Sequence, residues 1–269
     1  MGGSNDAVTS TEATAFSIAV DLAFSAWVTK PRTQPGCYVP PVVRSEPRPS
    51  PFTSEALGAA QEPWEAGAVR ARPGGLRVFR SRVLEALTRS PAPWPYVVGL
   101  PAAAAAFAHA VSDLPLVSAV LVFVAGAACW TLVEYVMHRW WFHSVPRGHA
   151  GRVMSLIVHG HHHLYPSDRS RLAATPWQIG GLVAVVGGLL APWLSGPWLA
   201  AFLSGFVVGW VGYEALHYAA HHGSGGPALL RVIRRHHLAH HFRDPRRGFG
   251  ISSPTWDRVF PSPRRRDRG

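Results

Sequence analysis

The sequence predicts an all-α integral membrane protein: a bundle of four transmembrane helices, arranged as two hairpins, under a cytosolic helical cap that holds a histidine-rich dimetal site. Three observations carry this expectation. Only 15% of the 269 residues are charged while 48% are hydrophobic, against about 25% charged in an ordinary soluble domain. Four apolar segments approach the length a bilayer demands. Of the 15 histidines, all but His109 lie in two clusters that follow the apolar segments.

Residues 1–75 are rich in Pro, Ser and Ala, with PGCYVPP at 35–41 and RSEPRPSP at 44–51. Proline at this density breaks helices and strands alike, so the segment reads as a flexible N-terminal arm with no assigned role. Its one apolar stretch, Phe16–Val28, carries Asp21 and is too short to cross a membrane. No basic residue precedes it, which argues against a secretory signal.

Residues 76–260 read as the membrane domain. A helix rises about 1.5 Å per residue, and about 20 residues cross the hydrocarbon. Spans are expected near 95–110, 114–136, 177–194 and 197–220, with tight turns at 111–113 and 195–197. Each of the second and fourth spans holds a single acid, Glu134 and Glu214. The glycine pairs Gly180-Gly181 and Gly187-Gly188 suit close helix packing, and Gly248 and Gly250 suit a tight turn after the last histidines.

Arginines fall before the first hairpin, between the hairpins (Arg139, Arg147, Arg152, Arg169, Arg171) and after the second. They end in a basic tail at 261–269, and neither hairpin turn has a Lys or Arg. That is the positive-inside pattern, with both termini and the cap cytoplasmic. The membrane is the plasma membrane in a bacterium and the endoplasmic reticulum in a eukaryote. The net charge of +11 is therefore an orientation signal and a contact for anionic lipid, not a nucleic-acid footprint. With two cysteines, a disulfide scaffold, a Cys-based zinc finger and an iron–sulfur cluster are excluded.

The histidines form a repeated pattern. The first half gives His138-x4-His143 and then His159-x-x-His162-His163; the second gives His217-x3-His221 and then His237-x-x-His240-His241. Residues three and four apart share a helix face, so each pair or triad offers its imidazoles to one point, as metal ligation requires. His138 and His143, five apart, fit less well, and a bend or helix end is expected between them. In both halves 16 residues separate the last histidine of the pair from the first of the triad. Two facing units bring ten imidazoles around two metal positions. Five ligands each leave room for oxygen on both ions, an arrangement for O2 chemistry.

Other residues have weaker claims. Glu134 and Glu214 sit a turn before their histidine pairs, where an acid is costly and usually functional. Hydrogen bonding to a ligand imidazole from behind is preferred to direct ligation. His161, His222 and His236 lie off the shared faces and read as supporting or surface groups; His109 and His149 carry no role. Trp140, Trp141 and Phe142 line a substrate groove or, the default, anchor at the interface. Arg169 and Arg171 either grip a carboxylate or phosphate headgroup or belong to a lipid-facing basic loop.

Taken together, the four histidine motifs resemble those of the membrane di-iron superfamily of fatty acid hydroxylases and sterol desaturases. The runs HGHHHLYPSDRSRL (159–172) and GFGISSPTWDRVF (248–260) are similar to the fatty acid 2-hydroxylase branch. The resemblance implies two Fe ions held by the ten histidines, with Zn able to occupy the site in a purified sample. It also implies O2 as co-substrate and a long-chain acyl lipid, free or within a sphingolipid, hydroxylated at the carbon next to the carbonyl. Eukaryotic members of that branch often carry a fused cytochrome b5. This chain has no His in its first 108 residues, so a separate cytochrome b5-, ferredoxin- or reductase-type donor is expected. A sterol- or carotenoid-type desaturase or hydroxylase is the nearest alternative. A metal transporter is more remote, because transporters place ligands near the bilayer midplane.

Overall fold

The computed structural model of the protein describes residues 50–65, 71–194 and 196–262. Phe16–Val28, the rest of the segment before residue 50 and most of the basic tail lie outside the described residues. Among the described residues no strand forms, and one isolated bridge pairs Phe52 with Phe79.

Two short helices, α1 (Ser54–Ala59) and α2 (Arg82–Leu87), precede the membrane part. Thr53 and Ser81 cap them by accepting the backbone N–H of Ala56 and Leu84. The candidate spans follow. They are α3 (Pro95–Asp113), α4 (Leu116–Phe142), α6 (Pro176–Leu190, within the span Arg169–Leu190) and α7 (Pro197–His222). Between α4 and α6 lies α5, which runs through His149–Ser155, a π-helical turn at Leu156–Gly160 and a last turn at His161–Leu164. After α7 come α8 (Ala228–Phe242) and α9 (Thr255–Val259).

Proline placement decides most of the boundaries. The first span continues to Asp113 because Ser112 Oγ bonds back to the His109 carbonyl (2.7 Å) and keeps the last turn helical. Pro115 then forces Leu114 into an extended conformation, so the turn lies at 114–115 and not 111–113. The third helix starts on Pro176 under a Thr175–Gln178 capping box and ends at Leu190 rather than 194, just before Pro192. Gly196 takes a positive φ of 52° ahead of Pro197.

The most extensive packing is of α4 against α7 and then α3 against α7; the neighbouring spans α3–α4 and α6–α7 touch far less. The α4–α7 contact is made possible by glycines. A Cβ on Gly126 would stand 2.0 Å from the Phe202 carbonyl oxygen, and one on Gly205 1.8 Å from that of Phe123. Gly209 presses on Trp130 in the same seam. These are the small-residue contacts that let apolar helices approach in lipid. The expected pairs do not serve this purpose: Gly180, Gly181 and Gly188 face open space, and Gly187 only grazes Leu203. Leu116, Val117, Leu121, Val124, Val185 and Leu189 are exposed along the spans, as a lipid-facing surface requires.

Part of the segment expected to be a flexible arm, residues 1–75, is packed. Ala56, Ala59, Ala60, Trp64, Leu76 and Val78 form a core with Val153, Leu156, Leu164 and Tyr165 of α5 and the turn after it. Residues 56–64 are therefore packed, because these apolar side chains find a face of α5 to cover.

Candidate metal centre

The helix ends place all ten patterned histidines together, in two groups of five. One group is His138, His143, His159, His163 and His240; the other is His162, His217, His221, His237 and His241. Within each group one ring nitrogen per residue lies within 4.8 Å of the others.

The local backbone explains how each pair aims. Helix α7 is regular, so His217 and His221 share a face. In the first half the five-residue spacing is taken up by a π-helical turn, Met137–Phe142, in which the His143 N–H donates to the His138 carbonyl at 3.3 Å. Widening the turn to five residues puts positions i and i+5 on one face. The expected bend is thus a change of helix pitch.

The groups do not follow the two halves of the sequence. Each half supplies four of its own group and lends one ring to the other: His162 joins the second group and His240 the first. His162 Nε2 lies 2.9 Å from His217 Nε2, and His240 Nε2 lies 3.1 Å from His143 Nε2. The groups also touch, since His163 and His241 stack with ring centroids 4.1 Å apart.

The donor set fits a bound cation. His138 Nδ1–H donates to the Phe249 carbonyl (2.6 Å), and His240 Nδ1–H to that of Arg247 (2.7 Å). A carbonyl can only accept, so both rings carry their proton on Nδ1 and turn a lone pair inward from Nε2. Further Nε2 pairs stand 3.0 Å apart (His138–His159, His163–His159) and 2.7 Å apart (His221–His237). Facing lone pairs repel unless a cation sits among them. Two nitrogens each about 2.1 Å from one ion lie at most about 4.2 Å apart, close to the spread seen here. Burial first, then the mutual repulsion of neighbouring rings, pushes His143, His159, His162, His163, His237 and His241 well below the ordinary imidazole range. For His240 burial is again the leading cause, followed by His138. These rings are neutral at pH 7, as ligation demands.

The glutamates take a different place from the one expected. Neither hydrogen-bonds a histidine of the groups. Glu134 accepts the N–H of Ile251 (2.5 Å) and of Ser252 (2.9 Å) and the Ser252 hydroxyl. Glu214 accepts the Ala174 N–H and the Trp210 indole N–H, both at 2.9 Å. Ser252 and Ala174 each lie eleven residues beyond the last histidine of a triad. Each acid therefore pins the chain that leaves the other half's triad, and so fixes where that triad sits. The carboxylates prefer these backbone donors because a buried N–H left unpaired is costly.

Among the other expected residues, His161 is buried, accepts the Leu76 N–H (3.2 Å) and is pushed down to about 4 by burial and by Arg171. His236 meets Asp257 Oδ2 at 3.0 Å. His222 faces Tyr218. Arg171 is buried; it bonds Glu85 (2.5 Å), the Thr88 hydroxyl (2.9 Å) and the Leu76 carbonyl. That corrects the headgroup reading for Arg171, whose guanidinium is turned inward to Glu85, Thr88 and Leu76 instead of outward to lipid. Arg169 is exposed, over the Tyr218 ring. Trp140 is buried beside Tyr135 and Phe260, Trp141 is exposed, and Phe142 stacks on His159.

Two contributors escaped the sequence reading of the site. Asp257 accepts the N–H groups of Phe249 (3.0 Å) and Gly250 (2.9 Å), fixing the loop whose carbonyls orient His138 and His240. Burial raises its pKa, but these bonds and His236 outweigh that and leave it lowered. Gly248, at φ 72°, makes the turn, as its position suggested. Trp64 is buried against His143, His159 and His163. A lone Trp in a proline-rich stretch gave no signal of this.

Comparison with known proteins adds the family. The model of the fatty acid hydroxylase family matches residues 123–262. A dihydroceramide fatty acyl 2-hydroxylase of Arabidopsis thaliana is 33% identical over 215 residues, covering 79% of this chain and 90% of the relative. A fatty acid 2-hydroxylase of Rattus norvegicus is 37% identical over 141 residues, covering 51% of this chain and 38% of the relative. A solved structure, described as full-length scs7p with only its hydroxylase domain visible, superposes with a TM-score of 0.65. It is 31% identical, and the match covers 68% of this chain and 70% of that one. The chain spans 59% and 52% of the length of two further hydroxylases, from Arabidopsis thaliana and Schizosaccharomyces pombe.

Proposed function

This chain belongs to the fatty acid hydroxylase family, and from that premise we propose that it is an O2-dependent hydroxylase acting on carbon 2 of a long acyl chain. The substrate is a free fatty acid or the N-acyl group of a sphingolipid, in keeping with what the relatives are named for. The observation that carries the reading is the convergence of ten imidazoles into two adjoining groups of five.

The ten histidines would hold two irons, one per group. When bound, the metal pair supplies the oxidising power that an unactivated C–H bond requires and acid–base side chains lack. The overall change consumes O2, two electrons and two protons per C–H, and yields one hydroxyl and one water. The electrons come from a cytochrome b5-, ferredoxin- or reductase-type donor.

The chain's own residues position and shield. The Phe249 and Arg247 carbonyls hold His138 and His240 in the tautomer that points Nε2 inward. Glu134, Glu214 and Asp257 keep the two post-triad loops in place. Phe142 and Phe249 pack against the first group and exclude water from that side. The acyl chain enters from the bilayer, with Trp141 anchoring the interface beside it. The arginine distribution supports a cytoplasmic cap with both termini on the same side.

The test is lipid mass spectrometry of cells expressing the protein under labelled O2, beside His240→Ala. Labelled 2-hydroxy acyl chains that vanish in the variant are expected. Altered sterol or carotenoid unsaturation without 2-hydroxy lipid would overturn the assignment.

A further inference from the structure

The two histidine groups are alike in ligand number but not in surroundings. Trp64 is only 1% exposed. Its indole stacks on His163 (centroids 5.1 Å apart, planes 29° apart) and stands edge-on to His143 (5.3 Å) and His159 (5.9 Å). It thus touches three of the five rings of the first group. Phe142 stacks on a fourth face of that group, at His159, and Phe249 lies edge-on to His138, His143 and His240.

Among the described residues the second group is equally buried, His162, His217, His237 and His241 being at most 5% exposed, but fewer aromatic side chains lie against it. Tyr213 is tilted against His217, and Phe242, itself 44% exposed, is tilted against His241.

Trp64 is also held there by its surroundings. Gly160, between His159 and the rest of the triad, has no room for a side chain: a Cβ would lie 2.5 Å from the indole Nε1. The strap that carries Trp64 is tied down on both sides of it. Thr53 Oγ1 donates to the Arg77 carbonyl (2.6 Å), Arg72 pairs with Glu62 (2.5 Å), and the Leu76 N–H donates to His161 (3.2 Å) inside the triad.

We propose that Trp64 is a positioning residue for the first group alone: its indole fixes the ring planes of His143, His159 and His163, and so makes the ion held there slower to leave than the ion held by the second group. This rests on the reading of the two groups as metal sites. The physical basis is that a ligand ring stacked against a buried indole cannot swing away to begin dissociation, while a ring without such a plane against it keeps more freedom to turn. Partners behind metal ligands commonly change affinity by ten- to a hundred-fold.

The experiment loads the purified full-length chain with Zn(II) in nanodiscs and follows release to a chromogenic chelator. The wild type is expected to release two equivalents in two phases. Trp64→Ala accelerates the slow phase about ten-fold or more while leaving the fast phase within about two-fold. Trp64→Phe, which keeps a stacking ring, restores most of the slow phase. Gly160→Ala, which displaces the indole without removing it, mimics Trp64→Ala, and adding it to Trp64→Ala has little further effect. Two equivalents with both phases accelerated alike, or neither, would overturn the role of Trp64 and leave the two metal sites standing. Fewer than two equivalents from the wild type would instead overturn the two-site reading, and this inference with it.

Discussion

The two histidine pairs solve one geometric problem by different means. His217 and His221 are four apart on a regular α-helix; His138 and His143 are five apart on a π-helical turn. Yet both groups end with five nitrogens inside the same 4.8 Å limit. What matters is therefore the angle at which the rings arrive, and the backbone adjusts its pitch to the spacing. The difference lies outside the ligand sets. Both groups are equally buried, but Trp64, Phe142 and Phe249 lie against the first, and among the described residues only Tyr213 and Phe242 lie against the second.

The sharpest way to break the comparison is through the two rings that cross over. His240→Ala should deplete the first group and His162→Ala the second, each reversing what sequence position alone would suggest. Either should bring hydroxylation to background. Metal content should fall by about one equivalent per chain, read by elemental analysis, since losing one ligand in five leaves a site that cannot hold its ion at ordinary metal levels.

Acid comes next. Seven rings outside the spans are held below the ordinary imidazole range, mainly by burial. An unfolded chain takes up protons near pH 6.5 while these rings do not. The metal-free protein should therefore be at its most stable above that pH. It should lose stability as pH falls below 6.5, because the unfolded chain takes up protons there that the folded chain does not. Thermal unfolding of chelator-treated protein between pH 7.5 and 5.5 measures this, and a flat profile would contradict the buried, neutral state of the rings.

The two pinning acids should differ in degree. Glu134 accepts three donors and Glu214 two. Glu134→Ala should cost about 3 kcal/mol and Glu214→Ala about 2 kcal/mol, because the abandoned donors stay buried. Each should disturb the group supplied by the opposite half's triad more than its own, seen as earlier metal loss on heating.

The smallest contrast lies in the membrane. Gly205→Ala should lower stability by about 1–3 kcal/mol, since its Cβ would meet the Phe123 carbonyl at 1.8 Å. Gly180→Ala, into open space, should stay within about 0.5 kcal/mol of wild type. Comparing melting temperatures in one detergent decides it.

Much of this was legible in the chain itself. Apolar length marked the four spans, and 3.6-residue periodicity showed which histidines share a face, because both depend on local geometry alone. Close helix packing was also written there, as Gly205-x3-Gly209, but the glycine pairs of α6 drew the reading to the wrong helix. Composition misled in the N-terminal segment: a proline-rich stretch reads as free, and only the face of α5 shows what Trp64 covers.

The sequence by itself determined that ten imidazoles would be presented in four clusters at helix ends, since backbone periodicity sets the direction of each ring. Tertiary structure alone decided which five converge in one group, that His162 and His240 cross over, and that Glu134 and Glu214 hold loops instead of ligands. Those outcomes depend on how α5 and α8 approach one another. That approach is fixed by contacts between residues far apart in the chain, which no local pattern encodes.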